Sequence, residues 1–228
     1  MSTQNIIVNK INNKINEMSL LKHPFYVMWT EGKLTIDHLQ GYSKEYFQLV
    51  KSVPNFVDNI YANSLLESRT NDNMVQYIKS IKTSRDEESE HVKPWIDFSL
   101  GLGLKEDEIL NYFGDSKVID AVNKLKELSS DSLIHGISMM YAFEKQLPEI
   151  STTKMEGLNK FYGIKDENVI NYFRIHEKVD IKHAKLWEDI ILNNSESYYD
   201  KMYEASIRSL KAQNQILDAV YDKYILLN

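Results

Sequence analysis

The segment RIHEKVDIKHAKLW, residues 174–187, carries His176, Asp180 and His183. Read as helix, its core stripe runs Val169, Phe173, His176, Asp180, His183, Trp187, Ile190, in steps of 4, 3, 4, 3, 4 and 3. That is the spacing of residues that share one helix face. Two imidazoles and a carboxylate therefore stand where apolar side chains are expected. A buried carboxylate needs a partner or takes up a proton. A cation answers all three groups at once. The ordinary alternative is a hydrogen-bonded His–Asp–His cluster or a wet helix face.

Two further segments repeat the pattern. In SLIHGISMMYAFEKQLPE the stripe runs Leu133, Ile137, Met140 or Tyr141, Glu144, Leu147, so Glu144 takes a core position. A glutamate paired with a base at the bundle end is its bland reading. In RDEESEHVKPWIDFSLGLGL the stripe runs Glu88, His91, Trp95, Phe98, Leu102. Glu88 and His91 form Glu-x-x-His, the i, i+3 pair that helical bundles use for dinuclear carboxylate sites. Glu87 is the alternative, at i, i+4 from His91. The run DEESE also reads as a solvated acidic stretch.

Together these are three histidines, two glutamates and one aspartate from three helices. Such a set, without thiolate, suits two first-row ions such as iron or manganese better than structural zinc. His23 precedes Pro24 in a helix-breaking segment, His38 lies in a first helical turn and His135 is out of register with Glu144, so these three are read as structural.

The elements that must position these residues are helical. There are eight glycines and four prolines in 228 residues, and strand-like alternation is rare. The spacing predicts helices over 4–20, 35–52, 55–67, 70–83, 86–101, 105–113, 116–128, 131–148, 151–162, 166–193 and 196–226. Pro54, the GLGL run at 101–104, Gly114, Pro148 and Gly163 serve as stops. Connections are short and no repeat is evident, so one all-α domain over 1–228 is expected. A hydrophobic fraction of 43% is enough for a core. Net charge is −6 and the 27 basic residues are scattered, which speaks against nucleic acid. With no cysteine there are no disulfides, thiolate sites or cysteine nucleophiles. The N-terminal run lacks a leader pattern and no window of 18 residues is apolar, so a soluble, cytoplasmic protein without membrane contact is expected.

Five segments resemble a known family: LLKHPFYVMWTEGKL (20–34), LQGYSKEYFQLVKSVPNF (39–56), EHVKPWIDFSLGLGL (90–104), YAFEKQLPEISTTKMEGL (141–158) and HEKVDIKHAKLW (176–187). The resemblance is to the heme-oxygenase-like dimetal oxidases, and within them to the group of the Chlamydia protein associating with death domains. It covers about residues 19–223. The most specific part is YAFEKQLPEI followed by a lysine and then H-x3-D-x2-H.

The resemblance implies an all-α, heme-oxygenase-like (TenA/PqqC-like) bundle of about seven main helices around the metal site, often a homodimer. Thiaminase-like members of the wider fold use a cysteine nucleophile, absent here. It implies a non-heme dimetal oxygenase-type activity that uses O2 and an external reductant to make 4-aminobenzoate, the folate precursor. Ring and nitrogen come from the protein's own tyrosine and lysine in a single turnover. The matching residues are Tyr26 in HPFY for the sacrificial tyrosine, Tyr42 in GYSKEY for a second one and Lys154 for the lysine. Glu144, His176, Asp180, His183 and His91 match the metal ligands. One departure is plain: relatives carry a glutamate about seven residues before the histidine, where this chain has Ser84; either a local deletion brings Glu87 or Glu88 into that role, with the stripe favouring Glu88, or one ligand is lost. Taken without the resemblance, Tyr42 is a core tyrosine on the stripe Leu39, Tyr42, Tyr46, Leu49, and Lys154 a surface lysine. Two other functions fit the residues: a dimetal oxygenase acting on an external amine, amino acid or fatty acid, marked by a cavity arginine (Arg69, Arg85, Arg174 or Arg208), and a protein-interaction module.

Overall fold

The computed structural model describes residues 4–227; residues 1–3 and 228, the ends of the expected 1–228 unit, lie outside them. The described residues contain helices and no strand. In chain order these are α1 (Gln4–Glu17), α2 (Pro24–Thr30), α3 (Ile36–Val50), α4 (Val53–Glu67), α5 (Asp72–Glu90) and α6 (Val92–Gly101). There follow α7 (Glu106–Leu110), α8 (Ser116–Asp131), α9 (Leu133–Glu144), α10 (Leu147–Tyr162), α11 (Glu167–Leu192) and α12 (Tyr199–Tyr221), the last running into a π turn at Asp222–Leu226. Eight of the twelve have 14 residues or more, against the seven main helices the resemblance implied.

Local chemistry sets the boundaries. Thr35, Asn71, Asp115, Ser132 and Asp166 each accept a backbone N–H in the first turn of the helix that follows. Gly163 ends α10 at φ +67°, a conformation that glycine adopts without strain. Four boundaries differ from the spacing. Pro24, Pro54 and Pro148 sit in first turns, where the missing N–H has no helical partner, so they begin helices rather than end them. That is why α2 exists where a break was expected at His23–Pro24, and why the expected helix 131–148 is divided at Lys145–Gln146. The expected break at 84–85 falls instead at His91. Pro94 supplies no N–H to Glu90 and its ring crowds that carbonyl, so the helix divides there. His91 keeps near-helical angles, φ −78° and ψ −15°, and the Glu88–His91 face survives the division.

α9 lies at the centre, buried continuously from Gly136 to Glu144. α12 packs along it, with Ser206 Oγ donating to the Ser138 carbonyl at 3.1 Å and Ser209 Oγ to the Met139 carbonyl at 3.0 Å. Trp29, Trp95 and Trp187 are fully buried in the core. Among the described residues no helix is long and apolar enough to cross a membrane.

α2 packs on α10 through Gly157. A Cβ there would stand 2.6 Å from both Cδ1 and Nε1 of Trp29, whose Nε1 donates to the Lys154 carbonyl at 3.3 Å. Alanine in a helix interior gains about 1 kcal/mol over glycine, while overpacking a filled core costs ~1–3 kcal/mol. Gly157→Ala is therefore expected to lower the melting temperature, and a calorimetric scan showing a rise would contradict this packing.

Candidate metal centre and tyrosine pair

Four segments converge on one buried point. α5 brings Glu88 in its last turn, and the α5–α6 junction brings His91. α9 ends on Glu144, and three successive turns of α11 supply His176, Asp180 and His183. All six are buried. Ligand atoms of Glu88, His91 and His176 lie within 4.8 Å of one another, as do those of Glu88, Glu144, Asp180 and His183. Glu88 belongs to both groups. The structure thus brings together all six residues that the stripes single out, and it puts Glu88 rather than Glu87 in the cluster. Val50, Val53, Phe143, Leu147 and Tyr172 wall the rest of a cavity of about 10 Å³.

The donor atoms face one another without satisfying one another. Glu88 Oε1, Glu144 Oε1, both Asp180 oxygens, His91 Nδ1 and His183 Nδ1 are buried and have no hydrogen-bond partner. His183 Nδ1 stands 3.3 Å from Glu88 Oε1 and 3.7 Å from Glu144 Oε1, and His91 Nδ1 stands 3.3 Å from Glu88 Oε2, all out of hydrogen-bond alignment. The outward atoms are satisfied. His183 Nε2 donates to Glu87 Oε2 at 2.8 Å, His176 Nδ1 to the Tyr172 carbonyl at 2.7 Å, and Trp187 Nε1 donates to Glu144 Oε2 at 2.6 Å. Bonds of this kind fix the orientation of metal ligands and leave the inner nitrogen free. The residues fit a pair of cations.

The charges point the same way. Burial pushes the Glu144 carboxyl up to about 8, with the Glu88 charge adding to it. Burial also lifts Asp180 well above the carboxylate range, helped by Glu144 and Glu88. Glu88 falls below its ordinary value: burial opposes its charge, but His183 and His91 outweigh that cost. Burial lowers His176 to about 4. His183 rises to about 10 because Glu144, Glu88 and Glu87 overcome its desolvation. A dry pocket does not hold three carboxylate charges without cations.

Beside the cluster lies a second buried group. Lys154 of α10 is 3% exposed, Tyr26 of α2 1% and Tyr42 of α3 0%. Lys154 Nζ donates to Tyr42 OH at 2.7 Å, and Tyr42 OH is 3.1 Å from Tyr26 OH. The amine lies 5.1 Å from the ring centres of Tyr26, Tyr46 and Phe173. Among the described residues it has no carboxylate partner, and burial lowers its pKa to about 7. Burial pushes both tyrosine hydroxyls well above their ordinary value. At neutral pH much of the amine is unprotonated while the phenols keep their protons. Aromatic rings fill the space between the two groups: Tyr172 lies 4.1 Å from His176, Trp95 4.7 Å from Tyr172, Tyr46 5.1 Å from Trp95, and Tyr42 5.2 Å from Tyr46.

The remaining histidines lie outside the cluster. His23 caps α2, His38 completes the capping box of α3, and His135 pairs with Asp131. No arginine is buried among the described residues; Arg174 pairs with Glu167 at the surface. Three supporting roles were not foreseen. Trp187 and Tyr172 read as ordinary core, and Glu87 reads as a ligand alternative rather than as the outer partner of His183. Only their i±4 spacing to ligands hinted at more: Trp187 and Glu87 lie four residues from His183 and His91, Tyr172 four from His176.

A sequence profile of the family described as iron-containing redox enzyme matches residues 44–212. A 4-aminobenzoate synthase of Nitrosomonas europaea is 28% identical over 229 residues, which cover 96% of this chain and 93% of that protein. A 4-aminobenzoate synthase of Chlamydia pneumoniae is 29% identical over 78% of this chain and 77% of its own. Among solved structures, a TenA homologue from Pseudomonas syringae superposes with a TM-score of 0.83 at 13% identity, covering 95% of this chain and 93% of that one. A CADD-like protein of unknown function from Nostoc punctiforme gives 0.76 at 15%, covering 99% and 100%. At these identities the likeness shows the fold alone, and that fold is the heme-oxygenase-like helical bundle expected.

The low pKa of Lys154 carries a stability cost. The unfolded lysine holds its proton up to about 10.5 while the folded one releases it near 7, so the unfolded state binds more protons between those values. The cost is full at and below pH 7 and vanishes as pH rises toward 10.5. Each unit of displacement is worth ~1.4 kcal/mol. Lys154→Met is therefore expected to be more stable than wild type by a few kcal/mol at pH 6–7, less the lost hydrogen bond to Tyr42. Denaturant midpoints measured from pH 6 to 10 should converge; a constant difference would contradict the buried, unpaired amine.

Proposed function

Given that this chain belongs to the iron-containing redox enzyme family, we propose that it is a dimetal oxidase making 4-aminobenzoate from its own side chains in a single turnover. Tyr26 supplies the ring and Lys154 the nitrogen. The observation that carries this reading is a buried amine with a pKa near 7, hydrogen-bonded to one tyrosine of a touching pair and walled by aromatic rings. The names of the Nitrosomonas and Chlamydia relatives support the product. The single core cluster running through the described residues supports reading the chain as one domain.

His91 and His176 would hold one ion, Glu144, Asp180 and His183 the other, and Glu88 would serve both. When bound, two redox-active first-row ions, iron or manganese, would supply activation of dioxygen, with an external reductant providing electrons. The chain's own residues do the rest. Burial keeps part of the Lys154 amine unprotonated, so that its lone pair is available. Tyr42 stands between amine and Tyr26, and its hydroxyl can pass a proton from one to the other. With dioxygen as oxidant, the Cα–Cβ bond of Tyr26 would break and Cβ be oxidised to the carboxylate carbon; the Cε–Nζ bond of Lys154 would be cleaved oxidatively and its nitrogen replace the phenol oxygen, which leaves as water. Phe25, Trp29, Trp95 and Phe98 are fully buried and exclude water. Tyr26 rather than Tyr42 is the sacrificial residue in this reading because α2 exposes its outer face at Pro24, Val27 and Thr30, whereas Tyr42 lies within a helix buried on most sides.

A conventional oxygenase would need room for its substrate. The cavity at the cluster has about 10 Å³, on the order of one water, and among the described residues no arginine lines it. A pure interaction module would have no use for six buried ligand-type residues.

The test uses the protein alone. It is loaded anaerobically with Fe(II), with and without Mn(II), and then given reductant and O2 but no organic substrate. The expected result is 4-aminobenzoate at no more than about one molecule per chain, with side-chain loss at Tyr26 and none formed by Tyr26→Phe. Oxygen uptake with no 4-aminobenzoate and both tyrosines intact would contradict the proposal. In elemental analysis, Glu88→Gln is expected to lose both ions and Glu87→Gln to retain them; equal loss in the two variants would remove Glu88 from its shared role.

A further inference from the structure

Tyr26 rides on a helix of only seven residues. So short a helix has little stability of its own, and its first N–H groups need an acceptor from outside. Pro24 has no N–H. The next one, that of Phe25, is accepted by His23 Nδ1 at 3.1 Å. The other ring nitrogen, Nε2, lies 3.0 Å from Asp218 Oδ1 on α12. A carboxylate only accepts, so Nε2 carries the proton and Nδ1 keeps its lone pair. Asp218 thus selects the tautomer that caps α2. The imidazole is buried and meets the edge of Tyr221 at 6.0 Å, which fixes its plane.

Among the described residues, α2 itself makes two side-chain hydrogen bonds to other helices: Tyr26 to Tyr42, and Trp29 Nε1 to the Lys154 carbonyl. Both belong to the reacting group or its lysine. The His23–Asp218 bond is the tie at the other end. It hangs the start of α2 from α12, two residues before Phe25 and three before Tyr26.

We propose that His23 is a positioning residue for the chemistry of Tyr26, acting with Asp218 through the cap of α2. This rests on Tyr26 being the reacting tyrosine. A misplacement on the order of 1 Å costs about 100-fold in a reaction between held groups, and the Tyr26–Tyr42 contact depends on where α2 begins.

Three variants test it: His23→Ala, His23→Asn and Asp218→Ala. Asparagine accepts the first-turn N–H through its own side chain, so it restores the cap without the imidazole. Metal-loaded His23→Ala is expected to form 4-aminobenzoate at least about tenfold more slowly than wild type, His23→Asn to recover most of the rate, and Asp218→Ala to fall between. A second readout uses the metal-free protein. Amide exchange over 25–30 should be about five- to tenfold faster in His23→Ala and near wild type in His23→Asn, with α9 and α11 unchanged. Wild-type rates in His23→Ala, or equal losses in the alanine and asparagine variants, would overturn the proposal. If His23→Ala does not fold, His23→Asn and Asp218→Ala decide it by the same measurements. Failure of the wild type to make 4-aminobenzoate, with the exchange pattern as described, would instead strike the reading of Tyr26 and leave the cap standing.

Discussion

Desolvation of ionisable groups is the constraint on which the rest of this structure depends. It acts at two adjacent places with opposite results. At the cluster, three carboxylates share a dry pocket, and burial pushes Glu144 and Asp180 toward their neutral forms while the histidines hold Glu88 ionised. Such a pocket is costly when empty of positive charge and gains most from cations. At Lys154 there is no carboxylate to offset burial, and the amine gives up its proton near neutrality. One helical shell thereby holds a buried pocket of carboxylates and imidazoles beside a buried amine, with aromatic rings between them.

The scaffold holds this arrangement by giving Glu144, His176 and His183 one outward bond each. Trp187 takes one oxygen of Glu144, the Tyr172 carbonyl takes one nitrogen of His176, and Glu87 takes one nitrogen of His183. α11 supplies three of the six clustered residues, His176, Asp180 and His183, and two of the three orienting groups, Tyr172 and Trp187, within about four turns, while Glu87 comes from α5. α9 is buried along almost its whole length and presents Glu144 from its last turn. The tyrosine pair depends on slighter elements. α2 is short, begins at a proline and is tied at either end by a few bonds.

Much of the cluster was legible in the residues. His176, Asp180 and His183 interrupt an apolar stripe in register, and helical spacing alone puts them on one inward face. Glu88 and His91 were legible for the same reason, even though Pro94 divides the helix between them and Trp95; His91 stays near-helical, so the face is not lost. The tyrosine–lysine group was not legible from periodicity. Tyr26, Tyr42 and Lys154 come from segments separated by up to 112 residues between hydrogen-bonding partners, and nothing local distinguishes Lys154 from a surface lysine. The resemblance to a known family pointed to them, and the fold explains why they meet: α2 and α10 pack through Gly157 and Trp29. α2 itself was missed because proline reads as a stop unless its capping residue is recognised, and here the cap is an imidazole rather than the usual hydroxyl or carboxylate.

The central claim is that ring and nitrogen of the product come from this chain. Its most direct test is isotopic. Protein prepared with uniformly 13C-labelled tyrosine and 15N-labelled lysine would be purified, loaded with metal, and reacted with O2 and reductant. The buffer would contain excess unlabelled tyrosine and lysine. The account predicts 4-aminobenzoate carrying seven labelled carbons, six from the ring and one from Cβ, and a labelled nitrogen. Product without the labels would show that the atoms come from free molecules and would contradict the account.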